Sequence, residues 1–111
     1  MPDKNTFLSE IGQRITERRL EMRLTQEEFA EKADLSPQFV SYAEAGKRAM
    51  RPENLLKLST GLEVSADYLL TGEYVDKDNL RLSEKIEKLT PEEARIVETL
   101  IDELLRTYHH D

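Results

Sequence analysis

One short segment of the sequence, residues 36–51, concentrates side chains that could recognise another molecule. Gln38 offers an amide, which can pair with two groups of adenine at once, and Phe39 offers a ring that can contact a thymine methyl. Tyr42 adds a ring and a hydroxyl, and three basic residues follow it: Lys47, Arg48 and Arg51. Because clustered basic side chains neutralise phosphates, the segment indicates a nucleic-acid surface. The alternative is that the rings pack inside the protein and the basic residues form a solvated loop.

The total charge of the chain, −7 at neutral pH, does not by itself favour a phosphate-rich partner. The charge is unevenly distributed, however. Residues 1–72 hold ten basic and twelve acidic side chains, whereas residues 73–111 hold six and eleven. Within residues 36–57 the net charge is positive, because four side chains are basic and only two are acidic. We therefore expect a local basic edge on an acidic protein.

Helices must position this segment, because apolar residues recur along the first 72 positions with a period near that of an α-helix. The first apolar stripe runs through Phe7, Leu8, Ile11, Ile15 and Leu20. Start signals for four later helices are Thr25, Ser36, the dipeptide Arg51-Pro52 and Ser65. Gly46 and Gly72 suit the left-handed backbone that ends a helix. We predict an all-α domain of five helices over residues 1–72, with the third helix over residues 36–45.

The second and third predicted helices are short, and a tight turn joins them in a helix-turn-helix arrangement. From Ile11 to Gly72 the sequence resembles the phage repressor and Cro-type (Xre-type) DNA-binding domain, most clearly through RLTQEEFAEKADLSPQFVSYAEAGKR. The resemblance implies a lambda-repressor-like fold and a sequence-specific transcriptional regulator. It further implies a repressor that binds a two-fold operator in double-stranded DNA as a homodimer.

The resemblance also implies roles for individual residues, with the third helix entering the major groove. The base-contacting residues would be Pro37, Gln38, Phe39 and Tyr42. The phosphate-contacting residues would be Gln26, Ser41, Lys47, Arg48 and Arg51. Arg19 and Glu44 would form a partly buried ion pair that ties the first helix to the third. An ordinary surface ion pair is the alternative for these two residues.

The third helix departs from the commoner pattern of the family, which has small or polar residues at the positions of Phe39 and Tyr42. Phe39 either contacts a thymine methyl or is partly buried against the second helix or a dimer neighbour. Tyr42 contacts a base through its ring or a phosphate through its hydroxyl. The departure leaves the operator sequence undetermined.

The remaining residues predict a linker at 73–79 and a C-terminal helical hairpin at 80–111. A cap, an N-terminal proline and acidic residues start the last helix at Thr90. Its apolar residues form a wide stripe: Val97, Leu100, Ile101, Leu104, Leu105 and Tyr108. Two helices of this length cannot build a substantial core, so they fold back on the first domain or pair with a second copy. We expect pairing with a second copy, because repressors of this kind bind their operators as dimers.

Several classes of function have no support in the sequence. The chain has no glycine-rich phosphate loop and no cysteine, so an enzyme is not expected. His109, His110 and Asp111 have metal-ligand chemistry, but a chain end usually frays, and we predict no metal and no cofactor. No run of about 18 apolar residues predicts a membrane span, and the N-terminus lacks the apolar stretch of a signal peptide. We therefore expect a cytoplasmic protein.

One other function fits the same fold. An antitoxin or another protein-binding module could use the C-terminal helices to grip a foreign protein, with or without binding DNA. Its acidic, apolar-striped tail is compatible with both functions. A toxin protein, or an antirepressor that switches the regulator, is the corresponding partner.

Overall fold

The structure is a computed structural model that describes residues 3–109, and every regular element in this range is an α-helix. The predicted all-α class is confirmed. The helices are α1 (Lys4–Glu21), α2 (Gln26–Ala33), α3 (Pro37–Glu44), α4 (Pro52–Leu62), α5 (Ala66–Thr71), α6 (Asp76–Glu87) and α7 (Pro91–Tyr108). The chain divides into two compact units, the first ending at Asp78 and the second beginning at Asn79. Within residues 3–109, no helix is both long and apolar enough to span a bilayer.

Side-chain hydrogen bonds confirm the predicted helix starts at Thr25, Ser36, Ser65 and Thr90, whereas α4 begins after Arg51 without a side-chain cap. The Thr25 hydroxyl accepts from the Glu28 backbone N–H, and the Glu28 carboxylate accepts from the Thr25 N–H, which makes a reciprocal capping box. Ser36 caps α3 by accepting from the Phe39 N–H, with Pro37 as the first helical residue. Ser65 caps α5 in the same way, and Thr90 forms a second capping box on α7.

Two helix ends have left-handed backbone at a predicted glycine, and three have it at another residue type, including Arg23 after α1, with φ of 60°. Gly46 and Gly72 have left-handed backbone, with φ of 70° and 80°, where the sequence predicts it. Asp34 and Glu63 end α2 and α4 in the same conformation, with φ of 59° and 57°, although neither is glycine. A side chain in this region is uncommon, so no glycine marks these two ends, although aspartate is enriched in this conformation.

The core of the first unit lies between α1 and the four helices that follow it. Its largest fully buried side chains are Ile15, Phe29, Val40, Leu58, Leu62 and Leu69. The predicted inward positions of α3, Val40 and Ala43, are both buried. The predicted stripe of α1 is wrong at Leu20, which is exposed because it lies five residues after Ile15, about 140° around the helix from the face that buries Leu8, Ile11 and Ile15.

The predicted linker at 73–79 is helical from Asp76 onward, because a buried carboxylate holds the start of α6. The side chain of Asp78 accepts hydrogen bonds from the Ser65 N–H and the Ser65 hydroxyl, both at 2.7 Å. It also accepts from the Val75 N–H at 3.1 Å. Asp78 thus satisfies backbone groups at the starts of two helices, α5 and α6.

The hydrogen bonds of Asp78 predict a stability difference between two aspartates in the first turn of α6. Asp78→Ala leaves the buried Ser65 groups without their acceptor and should lower the free energy of unfolding by about 1–3 kcal/mol. Asp76→Ala is the matched control, because Asp76 is exposed in the same turn; its effect should stay within about 0.5 kcal/mol. Urea denaturation measures both. Equal losses would show that these hydrogen bonds do not stabilise the first unit.

Candidate nucleic-acid interface

The helix α3 presents one face to the core and the opposite face to solvent. Val40 and Ala43 are buried against α1 and α2, whereas Pro37, Gln38, Ser41 and Tyr42 are exposed. This division follows from helical geometry, because residues three positions apart share a face. An exposed helix face of this width fits the major groove of B-DNA.

The position of α3 depends on a hydrogen-bonded carboxylate at its last residue, Glu44. Arg19 of α1 binds it bidentately: its Nε lies 2.6 Å from Oε2, and its Nη2 lies 3.0 Å from Oε1. The Thr16 hydroxyl and the Gln26 amide also donate to Oε1, at 3.0 and 3.1 Å. The side chains of Arg19 and Glu44 are only 11% and 6% exposed. The two residues therefore form a partly buried ion pair and not an ordinary surface pair.

The environment of Glu44 sets its ionisation. Burial raises the pKa of this carboxyl, but hydrogen bonds from Arg19, Gln26 and Thr16 and the charge of Arg19 outweigh it and hold the pKa below its ordinary value. The hydrogen bond to Glu44 correspondingly raises the pKa of Arg19, despite the opposing effect of burial. Both groups are charged at neutral pH, so the ion pair is present under these conditions.

Gly12 of α1 allows the close approach on which this ion pair depends. A Cβ atom at this position would lie 2.4 Å from the Glu44 carbonyl oxygen and 2.6 Å from that of Ala43. These distances are far below van der Waals contact, and both neighbours are backbone atoms. Any side chain at residue 12 would therefore separate α1 from the end of α3.

Gln26, predicted to contact a phosphate, also has a hydrogen-bond partner within the protein. It is the first residue of α2, and its amide nitrogen donates to Glu44. Gln26 thus lies beside the end of α3 and is part of its support. Whether the same side chain also reaches a phosphate stays a prediction.

The predicted basic residues Lys47, Arg48 and Arg51 are exposed in the segment that follows α3. Lys47 and Arg48 line a depression with Tyr42. Arg48 and Arg51 line a second depression with Phe39, whose ring is half-buried against the core. The structure therefore places the basic residues beside α3, where Arg48 lies next to both aromatic residues.

A model of the helix-turn-helix family matches residues 15–69 of this chain. The regulator ImmR of Bacillus subtilis, an HTH-type transcriptional regulator, is 39% identical over 69 residues. That match covers 62% of this chain and 54% of ImmR, so the chain spans about half the length of this relative.

Two solved structures extend the comparison. The restriction-modification controller protein C.AhdI of Aeromonas hydrophila is 35% identical, with a TM-score of 0.54, over 56% of this chain and 94% of that protein. The c2 repressor of phage P22, solved in complex with a synthetic operator, is also 35% identical, with a TM-score of 0.55, over 57% and 96%. This chain belongs to the phage-repressor-like (Xre-type) helix-turn-helix family. The resemblance found in the sequence is confirmed.

Several supporting residues of this helix-turn-helix unit are not evident from the sequence alone. Arg14 donates to the Leu69 carbonyl at the end of α5, and Arg18 donates to the Leu62 carbonyl at the end of α4, both at 2.9 Å. A cation at a helix C-terminus satisfies a carbonyl and interacts favourably with the helix dipole. The spacing of four residues places both arginines on one face of α1, and this is the signal that could have identified them.

The predicted absence of a metal site concerns residues at the end of the chain. His110 and Asp111 lie outside the described residues. Within residues 3–109, no cluster of three or more histidine, aspartate or glutamate side chains could hold a metal ion.

The lowered pKa of Glu44 predicts how stability depends on pH. Because the folded-state pKa lies below its ordinary value of 4.5, the ionised carboxylate contributes stability that is complete above that value and is lost as the pH falls through the folded pKa. At pH 7, Glu44→Gln should lower the free energy of unfolding by about 1.5–3 kcal/mol, since a hydrogen-bonded charge is lost. The difference should shrink towards zero at acid pH, where the wild-type carboxyl is also neutral.

Urea denaturation between pH 7 and pH 3 would measure this difference. Glu27→Gln is the matched control, because Glu27 is exposed near the start of α2; at pH 7 it should change stability by no more than about 0.5 kcal/mol. A wild-type advantage over Glu44→Gln that is constant across this range would contradict the assignment.

Proposed function

We propose that this protein is a sequence-specific transcriptional regulator, a repressor that binds a two-fold operator in the cytoplasm as a homodimer. The observation that carries the proposal is the exposed face of α3, which the Glu44 network fixes beside a cluster of three basic residues. A rigid helix reads base edges, and adjacent basic side chains bind the phosphates that flank them. The P22 c2 repressor, which was solved with operator DNA, supports the proposal because it is similar to this chain over its helix-turn-helix unit.

The proposed contacts divide into two classes. Pro37, Gln38, Phe39 and Tyr42 face the bases. Gln26, Ser41, Lys47, Arg48 and Arg51 contact phosphates. Gln38 lies in the first turn of α3, where the side chains of a recognition helix most often meet base edges. The ring of Phe39 is half-buried, so less of it is available to a thymine methyl, and Gln38 carries more of the sequence preference.

The proposed homodimer rests on α7, none of whose described residues is buried within the chain. Ala94, Val97, Ile101, Leu104 and Tyr108 recur at alternating spacings of three and four residues. This spacing is typical of helices that pack side by side with another helix. Leu100 and Leu105, which are 58% and 52% exposed, widen the stripe. An exposed apolar stripe of this width is an aggregation liability unless it is covered.

A second copy of the chain would bury the apolar stripe of α7 and would also favour binding to a two-fold operator. Two linked recognition helices gain from effective concentration on a two-fold operator, with half-sites about 34–36 Å apart.

The two classes of DNA contact predict different consequences of mutation. Gln38→Ala should weaken binding to the operator by about 1–3 kcal/mol and relax the preference at one base pair. Lys47→Ala is the matched comparison: it should weaken all duplexes alike and reduce the slope of log affinity against log salt by about one. Fluorescence anisotropy on the operator, its single-base variants and an unrelated duplex measures both. Unchanged affinity and base preference in Gln38→Ala would remove its proposed role.

The tail predicts a change of oligomeric state. Leu104→Glu should give a folded monomer, because it places a charge within the stripe at a side chain that is already 55% exposed in one chain. Its affinity for the full operator should fall about a hundredfold or more, whereas half-site binding should be unchanged. Thr99→Glu, which adds the same charge on the opposite side of α7, should remain a dimer.

Analytical ultracentrifugation at micromolar concentration tests this arrangement. A monomeric wild-type protein, or a Leu104→Glu variant that remains dimeric, would exclude dimerisation through the tail. A stoichiometric foreign chain that co-purifies from native cells, and is lost in Leu104→Glu, would instead assign the tail to a toxin or antirepressor partner.

A further inference from the structure

The exposed face of α3 contains a hydrogen bond between two of the proposed base-contacting residues. The amide nitrogen of Gln38 donates to the hydroxyl oxygen of Tyr42 at 3.1 Å. The two residues are four positions apart, so they lie one above the other on the same face of the helix. This contact joins the first turn of α3 to its last.

The hydrogen bond restricts a side chain that is otherwise free to rotate. The terminal torsion of glutamine is broad, and an exposed amide samples many orientations. Glutamine carries two N–H donors and one carbonyl acceptor. Donation of one N–H to Tyr42 leaves the carbonyl oxygen and the second N–H for another partner. Adenine offers a matching pair in the major groove, an N6 donor and an N7 acceptor.

Tyr42 is the more fixed member of the pair. Its side chain is 38% exposed, and its ring lines the depression that also includes Lys47 and Arg48. Its backbone carbonyl accepts from the Lys47 N–H at 3.0 Å, which holds the residue in the closing turn of α3. A tyrosine has only two rotatable side-chain bonds, so it loses little entropy when it is fixed.

We propose that Tyr42 is a positioning residue whose hydroxyl orients the Gln38 amide, so that the two side chains read one adenine as a unit. This inference rests on the proposed DNA-binding function. It gives the hydroxyl of Tyr42 a role within the protein, distinct from a direct contact between that hydroxyl and DNA. It also explains why a tyrosine follows the glutamine by one helical turn.

Tyr42→Phe isolates the hydroxyl, because it retains the ring. An operator selected from random duplexes with the wild-type protein provides the probe, together with its single-base variants. Tyr42→Phe should reduce the preference for adenine at one position about three- to tenfold, the range expected for one hydrogen bond. Tyr74→Phe, which removes an exposed hydroxyl outside α3, is the matched control and should leave the preference unchanged.

A double-mutant cycle separates positioning from direct contact. If Tyr42 acts through Gln38, Tyr42→Phe should have no further effect in a Gln38→Ala background. An equal loss of affinity in both backgrounds would overturn the inference, because the hydroxyl would then contact DNA itself. An unchanged base preference in Tyr42→Phe would overturn it as well.

A measurement without DNA keeps this test independent of the proposed function. In the NMR spectrum of the wild-type protein, the side-chain amide of Gln38 should show one N–H resonance that shifts in Tyr42→Phe and not in Tyr74→Phe. Identical Gln38 resonances in wild type and Tyr42→Phe would remove the hydrogen bond and the inference with it. A protein that shows the shift but binds no duplex would refute the DNA-binding function while retaining the contact between the two side chains.

Discussion

The carboxylate of Glu44 is the point at which three helices meet, and the rest of the interface depends on it. It ends α3, receives two hydrogen bonds from Arg19 of α1 and one from Gln26 of α2. A buried charge that loses its partner is strongly destabilising, so conformations in which only some of these hydrogen bonds form are disfavoured. Small displacements of α3 would break several charged hydrogen bonds at once. The exposed face of α3 is therefore presented in one orientation.

The helix α1 takes no proposed part in base contact, yet it determines the geometry of the unit. Arg14 and Arg18 donate to the ends of α5 and α4, while Arg19 holds the end of α3. Gly12 has no side chain, which allows the end of α3 to pack directly against the backbone of α1. One helix thus satisfies backbone or side-chain acceptors at the C-terminal ends of three others. Substitutions in α1 would therefore change the position of α3, although α1 does not contribute to its exposed face.

The sequence predicts features that depend on near neighbours in the chain better than those that depend on distant ones. The caps at Thr25, Ser36 and Ser65 were predictable, because each uses a backbone N–H three residues away. The role of Asp78 was not, since its main partner is Ser65, thirteen residues earlier. Within the candidate site, resemblance to a family identified the Arg19–Glu44 pair. The hydrogen bond from Gln26 to the same carboxylate depends on how α2 packs against α3, which the sequence does not reveal.

Asp78 has a further consequence, for the order in which the chain folds. Starting a helix is unfavourable, because the first turn fixes several residues for a single hydrogen bond. The hydrogen bonds from Ser65 and Val75 to Asp78 hold that first turn of α6 from outside the helix. The first turn of α6 is therefore more stable in chains in which α5 has already formed.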